Sequence, residues 1–495
     1  MIQPAIVTRG AIEIPLPRTE LLIDGGWRPA ADGASFAVVD PATEEEITTV
    51  AAASAEDVDA AVVAAREALE TGPWSRMAGP ERARLLWQVG ELIERDVETL
   101  AQLEALEIAK PVGDPLRIDV PLAAETFRHF AGWADRIAGR TIPVPDFLGR
   151  PRHCYTRLEP IGVVAAITPW NAPVMIAAWK IAPALACGCT LVVKPPEDAP
   201  LSTLHLAQLL EEAGLPAGVV NVVPGPGPTT GAALVRHPGV DKVTFTGSPE
   251  VGREVAQAAA ANFKPATLEL GGKSPQLVFA DADLETAIPT AAISVFANAG
   301  EVCAAGSRIF VQRPIYERVI DGLKQFAGEI VVGDPFAVET TMGALINRAQ
   351  LDRVLGYVQS GRDEGAELLT GGRRLDRAGY FVEPTIFAGS NEMTIAQEEI
   401  FGPVATVIPF DEPEQAVALA NETRYGLTAV VWTRDVTKAH TVAAQIQAGA
   451  IWVNAWGPPD PRLPWGGMKT SGLGRELGEA AIRACTEEKV VNVVL

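Results

Sequence analysis

The stretch I-G-V-V-A-A-I-T-P-W-N-A-P-V-M-I-A-A-W-K-I-A-P-A-L-A-C-G-C-T-L-V-V-K-P-P-E, residues 161–197, decides the fold. From Ile161 to Trp179 it carries no charge, nominally enough apolar chain to span a bilayer. Pro169, Asn171 and Pro173 interrupt the middle, where they would leave backbone groups unpaired in lipid. The run reads instead as a buried strand (I-G-V-V-A-A-I), a turn, and a buried helix over A-P-V-M-I-A-A-W-K-I-A. A second strand, Thr190–Lys194, comes next.

Moving outward, the same alternation continues. A helix over Ser202–Ala213 is stopped by Gly214, and a strand at Val219–Val223 leads into the loop P-G-P-G-P and a short helix. Strand Lys242–Thr246 passes through Gly247 and Ser248 into a helix near Pro249–Ala261, and strand Thr267–Leu270 closes the series. Strands alternating with helices at this spacing predict a parallel sheet covered on both faces. Upstream, residues 54–71 and 80–109 have helical periodicity, with Ser54 as N-cap and Asp57 in the first turn. A second α/β series starts after Gly272, with strands Arg308–Gln312, Thr428–Thr433 and Ala450–Asn454 and helices Ile315–Ile330 and Pro413–Glu422. Residues 141–160 and 486–495 are β-like and attach to neither series; the second is an apolar terminal strand that needs a partner edge. At 495 residues the chain exceeds one hydrophobic core, so two or three domains are expected.

Composition narrows the function. A net charge of -21 repels phosphate backbones and anionic headgroups, so neither nucleic acid nor membrane is an expected partner. The cysteines, Cys154, Cys187, Cys189, Cys303 and Cys485, form no C-x-x-C and no zinc spacing, so no metal site and no disulfide framework are expected. An odd count of scattered thiols fits a reducing compartment, and Met1 to Pro17 lacks the features of a signal peptide, which together predict a cytoplasmic protein.

Three residues carry candidate chemistry. Cys303 lies in N-A-G-E-V-C-A-A-G-S-R, between a helix at Leu284–Ala297 and a strand, with small neighbours that let a substrate approach the sulfur. A nucleophilic cysteine needs such access and a means of favouring thiolate; a buried structural thiol is the plainer alternative. Glu269 in L-E-L-G-G-K-S-P ends an apolar strand, where poor solvation raises a carboxyl towards the range of a general base. An ion pair with Lys273 is its plainer alternative. Asn171 in T-P-W-N offers an uncharged donor to a developing oxyanion, or is simply a turn residue.

The blocks T-P-W-N, K-P-P-E, P-G-P-G-P-T, F-T-G-S, L-E-L-G-G-K-S-P, G-E-V-C-A-A-G-S-R, E-E-I-F-G-P-V and W-G-G-M-K-T-S-G-L-G-R-E occur in this order. On these blocks the chain resembles the aldehyde dehydrogenase superfamily of the hydrolytic, non-acylating type, over nearly its whole length after about residue 20. The resemblance implies a Rossmann-type NAD-binding domain (20–140 and 161–271), an α/β catalytic domain (272–485) and a small β oligomerisation element (141–160 and 486–495) that makes a homodimer or homotetramer. It casts Cys303 as nucleophile, Asn171 with the Cys303 backbone N–H as oxyanion donors, Glu269 as the base that activates hydrolytic water, and Lys180 with Glu476 as a proton exit. It assigns Lys194 and Glu197 to the adenosine ribose, a carboxylate that favours NAD over NADP. Gly225 and Gly227 fall near the adenine. Gly247, Ser248 and Val251 sit at a helix N-terminus by the pyrophosphate, and Glu399 and Phe401 at the nicotinamide end; Trp170, Phe245, Thr246, Leu270 and Gly271 complete the cofactor set.

The same resemblance lines a substrate tunnel with Ala172, Met175, Ile176, Trp179, Ala297, Val302 and Trp465. None of these is charged, so the expected substrate is a medium-to-bulky hydrophobic, aromatic or terpenoid aldehyde. Asp460 and Arg462, in the loop from Trp456 to Arg462, are the charges able to overturn that reading. Two positions depart from the family pattern: Glu301 stands where glutamine is common, and Trp465 where phenylalanine is. An inward-facing Glu301 raises the thiol pKa; a carboxylate pointing away is expected. Two other classes compete, a CoA-acylating semialdehyde dehydrogenase and a non-catalytic relative of the fold. The presence of Glu269 argues against the first, and that of Cys303, Glu269 and Asn171 together against the second.

Overall fold

The computed structural model describes residues 5–495, so the first residues of the segment read as lacking a signal peptide lie outside the described part. Val163–Ile167 is buried along its whole length, as a strand at the centre of a parallel sheet must be. Helix Pro173–Cys187 follows, with proline in its first turn, every residue buried, and Gly188 in the left-handed conformation as its stop. The strand Thr190–Lys194 then lies parallel to Val163–Ile167.

Five parallel strands run in the spatial order Ala266–Glu269, Lys242–Thr246, Val163–Ile167, Thr190–Lys194, Val220–Val222. The chain therefore starts in the middle, winds out one way, and returns to wind out the other. The reversal lies between Val163–Ile167 and Lys242–Thr246, and ligands of such sheets bind beyond the carboxyl ends of the strands at that point. Antiparallel edges finish the sheet: the hairpin Leu21–Ile23/Gly26–Arg28 on one side and Gly472–Leu473 on the other.

A second sheet has the order Glu367–Thr370, Thr385–Ala388, Val404–Phe410, Arg308–Gln312, Pro275–Val278, Thr428–Trp432, Ala450–Val453, parallel except at its first strand. The β-like stretches that joined neither series pair with each other. Thr486–Val494 runs antiparallel to Arg152–Pro160, which pairs on its far side with Thr141–Ile142. The terminal strand thus gains one partner within the chain and forms the outer edge of this three-stranded sheet.

Residues 80–109 form two helices, Gly79–Arg95 and Val97–Ile108. At the break the carboxylate of Asp96 accepts from Arg95 and, at 2.8 Å, pairs with His205 of helix Leu201–Glu212, so the second helix turns towards that neighbour. The stretch before residue 485 returns to the first sheet. Trp465 and Glu476 exchange backbone hydrogen bonds, Gly472–Leu473 pairs with Leu268 and Glu269, and helix Gly478–Ala484 lies on helix Pro173–Cys187. This return brings Glu476 under the first sheet. Elsewhere the expected elements form, including the cap of helix Ala55–Glu70, where Ser54 Oγ accepts from Asp57 N at 3.2 Å and Ser54 N donates to the Asp57 carboxylate at 2.9 Å.

Candidate active site

Every block singled out on the first sheet follows the carboxyl end of a parallel strand: Thr168–Asn171, Pro195–Glu197, Gly247–Ser248 and Leu270–Gly272. The Cys303 turn descends onto them from the second sheet. Helix Leu284–Phe296 ends, and Asn298 and Ala299 take consecutive left-handed conformations at φ 48° and 52°. Such backbone is costly away from glycine and persists only where neighbours hold it. Here the Asn298 side-chain amide donates to Asn171 O at 3.2 Å and to Glu301 O at 3.3 Å, while Asn171 Nδ2 donates to Glu301 O at 3.0 Å. Asn171 keeps a second N–H free of that bond. Gly272 completes the docking, since a Cβ there would lie 2.5 Å from Cys303 O.

Cys303 is half-buried, whereas the other four cysteines are buried. Its surroundings do not favour thiolate. Burial, with the Glu399 and Glu269 carboxylates, pushes the thiol up to about 12, against the pull of the Ala304 and Cys303 N–H groups. Glu301 takes no part in this. Its Oε1 accepts from Ile346 N at 3.0 Å, and the charges nearest it are Asp198 and Lys110, so it points away from the sulfur.

Glu269 is 4% exposed, and neither carboxylate oxygen has a hydrogen-bond partner. Burial raises its pKa well above the ordinary range, and the neighbouring Glu476 carboxylate adds to the shift against Lys180 and Arg475. No ion pair joins it to Lys273 among the described residues. Lys273 instead faces Arg308 and Glu399, and burial, reinforced by Arg308, lowers it to about 7. Gly466 makes room for Glu269, as a Cβ there would meet Oε1 at 2.5 Å. Lys180 Nζ donates to Glu476 Oε1 at 2.5 Å and to the Thr246 and Thr244 hydroxyls at 2.8 and 3.2 Å. The Thr246 hydroxyl, expected beside the cofactor, is thus engaged with Lys180.

The residues expected around a dinucleotide make local contacts at the carboxyl ends of the first sheet's strands. Lys194 Nζ donates to Gly225 O and Pro195 O, both at 2.8 Å, and lies 3.2 Å from Glu197 Oε2; Gly227 N donates to Glu197 Oε1 at 3.2 Å. Burial opposes ionisation of Glu197, but Lys194 and the N–H donors outweigh it and lower its pKa. Ser248 caps helix Pro249–Ala260 by accepting from Val251 N at 3.3 Å, which leaves a positive helix end at the switch point. Phe245 and Leu270 are buried behind these loops and Val251 is exposed. Glu399 Oε1 accepts from Gly272 N at 3.0 Å, beside Gly271, and the Trp170 and Phe401 rings meet edge to face at 5.3 Å. A carboxylate for ribose hydroxyls, a helix N-terminus for a pyrophosphate and an aromatic pair with a second carboxylate fit NAD.

Sequence reading missed the residues that hold Glu399 and Phe401. Gln350 donates to Phe401 O at 2.5 Å and Arg353 to Glu399 O at 2.6 Å, both from helix Arg348–Asp363. They fix Phe401 in a left-handed conformation at φ 57°. Nothing in their local sequence announces this, because the contact spans two distant elements.

Of the tunnel residues, Ala172, Met175, Ile176, Trp179 and Trp465 are buried in one hydrophobic cluster, and half-buried Val302 and Cys303 pack against it. Ala297 stands apart from that cluster. Trp452, also missed, lies 5.9 Å from Trp465, which lies 6.2 Å from Trp179. Asp460 and Arg462 are bound to each other, with two hydrogen bonds of 2.7 Å.

Comparison with known proteins agrees with this geometry. The model of the aldehyde dehydrogenase family matches residues 27–491. Retinaldehyde dehydrogenase 3 of Homo sapiens is 45% identical over 496 residues, covering 100% of this chain and 96% of its own. The NAD+ complex of an aldehyde dehydrogenase from Bacillus cereus superposes with a TM-score of 0.95 at 46% identity, covering 96% of both chains. Betaine aldehyde dehydrogenase from Staphylococcus aureus, also solved with NAD+, gives 0.94 at 38% identity over 97% of this chain and 95% of its own. The chain belongs to the aldehyde dehydrogenase family. It is an NAD-dependent enzyme that oxidises aldehydes. No helix among the described residues is long and apolar enough to cross a membrane.

Proposed function

We propose that the enzyme converts a medium-to-bulky hydrophobic, aromatic or terpenoid aldehyde to its acid through a thioester on Cys303. Cys303 Sγ gives up its proton to solvent water and bonds to the aldehyde carbon, while the free N–H of Asn171 and the Cys303 backbone N–H hold the resulting oxyanion. NAD supplies the acceptor for the hydride that then leaves this carbon. Glu269 takes a proton from water as the water oxygen attacks the thioester; the C–S bond breaks and the acid departs. Lys180 and Glu476 carry the proton away. The observation that carries this reading is the Glu269 carboxyl, buried beside the thiol with both oxygens unpartnered. A carboxyl so placed takes a proton near neutral pH more readily than an exposed one.

The test is NADH production with and without CoA. Free acid and a rate indifferent to CoA are expected. An acyl-CoA product overturns the hydrolytic reading, and no NADH from any aldehyde leaves only a non-catalytic relative.

The substrate class rests on the uncharged tunnel residues, the tryptophans among them, and the mutual pairing of Asp460 and Arg462. One relative is named for retinaldehyde, at 45% identity, and another for betaine aldehyde, at 38%, so family membership alone does not select between them. Each buried methylene adds about 0.8 kcal/mol, which makes the preference graded. In a panel ranked by kcat/KM, bulky apolar aldehydes should lead; acetaldehyde or a charged semialdehyde at the top would contradict the assignment.

The exposed edge at Thr486–Val494, with Val490 and Leu495 at 68% and 65% exposure, supports pairing of this strand between subunits of a cytoplasmic dimer or tetramer. A monomeric mass by light scattering would refute it. In the same reading, the first sheet binds NAD, with Glu197 disfavouring the extra phosphate of NADP, and the second presents the nucleophile.

A further inference from the structure

Lys242–Thr246 is a central strand of a buried parallel sheet, a place where both faces are ordinarily apolar. Its sequence K-V-T-F-T instead puts Lys242, Thr244 and Thr246 on one face. That polar row runs from the start of the strand to the end beside Glu269. Thr246 and Thr244 accept from Lys180, and Thr244 Oγ1 donates to Glu476 Oε1 at 2.7 Å. The row is continuous with the proton exit suggested above and extends one station past it.

That station is Lys242, 3% exposed, whose ammonium donates to Thr267 Oγ1 at 2.8 Å on the adjacent strand. Between it and Glu476 lies a cavity of about 20 Å³ lined by Lys180, Lys242, Thr244, Thr267, Arg475 and Glu476. That is room for about one water, which needs two to four polar partners. They are at hand: Glu476 Oε2 is buried without a hydrogen-bond partner, and an ammonium has three N–H donors, of which Thr267 takes one. Arg475 and Ala484, both partly exposed, place the mouth of the cavity at the protein surface.

We propose that Lys242 is the outer station of the proton exit path, joined to Glu476 by a water in this cavity and releasing the deacylation proton to solvent beside Arg475. The inference rests on Glu269 acting as the hydrolytic base. A proton passes from Glu269 to Glu476; the cavity water takes it up and gives one to Lys242 as Lys242 loses another at the mouth. One proton enters, one leaves, and no charge accumulates. Lys242 acts through Glu476 and touches no substrate, so it is a positioning residue for this transfer. The charged and titratable groups facing it are Glu476, Lys180, Cys189, Cys485 and, across the cavity, Arg475, and burial lowers its pKa, which eases the loss of a proton.

The test is rapid mixing of the full enzyme with NAD and aldehyde in weak buffer, reading NADH absorbance and a soluble pH indicator together. In Lys242→Met the NADH burst should keep its rate and amplitude, while steady-state turnover and proton appearance slow roughly tenfold. Imidazole, a small proton carrier, should restore turnover, as should Lys242→Arg, and the pH profile of turnover should shift in Lys242→Met alone. Thr267→Val, which keeps the charge but removes the partner of Lys242, should show a weaker form of the same defect. Wild-type proton release and turnover in Lys242→Met overturn the relay, and so does loss of the burst together with turnover, which marks a structural role. Glu269→Gln in the same apparatus separates the two claims. If it loses burst and turnover in equal measure, the base assignment falls and the relay with it; if it keeps the burst, a normal Lys242→Met overturns the relay alone.

Discussion

Glu269 and Glu301 are both all but sealed from solvent, at 4% and 1% exposure, and burial holds both carboxyls well above the ordinary range. One ends a strand of the first sheet and the other lies in the turn that carries Cys303. One oxygen of the Glu301 carboxyl is fastened by the Ile346 N–H and the other is unpartnered, and the charges that act on it are Asp198 and Lys110, while it adds nothing to the shift at the thiol. The Glu269 carboxyl makes no hydrogen bond, and its charge reaches both Cys303 and Glu476. Burial alone therefore does not mark a base. Having both oxygens free rather than one, a charge that reaches the thiol, and a path for the proton afterwards distinguish Glu269.

Substitutions sharpen this contrast. Cys303→Ala sets the ceiling: NADH formation should fall by about 10⁴-fold or more, with NAD binding by calorimetry retained. Glu269→Gln should come next, with steady-state turnover down by about 10² to 10³ and the rise of turnover with pH lost, because that rise reports deprotonation of the base. Glu301→Gln, with an amide that can still accept from Ile346 N, should leave turnover within about twofold; a larger loss would break the distinction.

Glu301→Gln should show instead in stability against pH. A carboxyl whose folded pKa is raised binds more protons folded than unfolded. Stability then falls as pH climbs from about 4.3 towards the folded value, by at most about 1.4 kcal/mol per pH unit for each such group. Removing Glu301 should flatten that slope in thermal melts at stepped pH; an unchanged slope would mean the carboxyl is ionised in the folded protein.

Much of this was legible in the sequence because the parallel sheet puts its chemistry at strand ends. T-P-W-N, K-P-P-E, F-T-G-S and L-E-L-G-G each close an apolar run, so the same reading that finds a strand also finds its loop. Gln350, Arg353 and Trp452 were not legible, since their partners lie on other elements and no local pattern marks them. Nor was the break at Asp96, where a carboxylate reaching His205 overrides an unbroken helical periodicity. The return of the chain to the first sheet was not legible for a related reason. Two-residue antiparallel edges such as Gly472–Leu473 are too short to show in hydrophobic spacing, yet this one carries Glu476 back beneath Glu269.

The most direct test of the account is the first turnover of Glu269→Gln beside Glu301→Gln, followed by rapid mixing with NAD and an aromatic aldehyde. The account predicts a full NADH burst in both variants, then near-arrest in Glu269→Gln as thioester accumulates on Cys303, and wild-type turnover in Glu301→Gln. A Glu269→Gln enzyme without a burst, or a Glu301→Gln enzyme stalled after one, would contradict it.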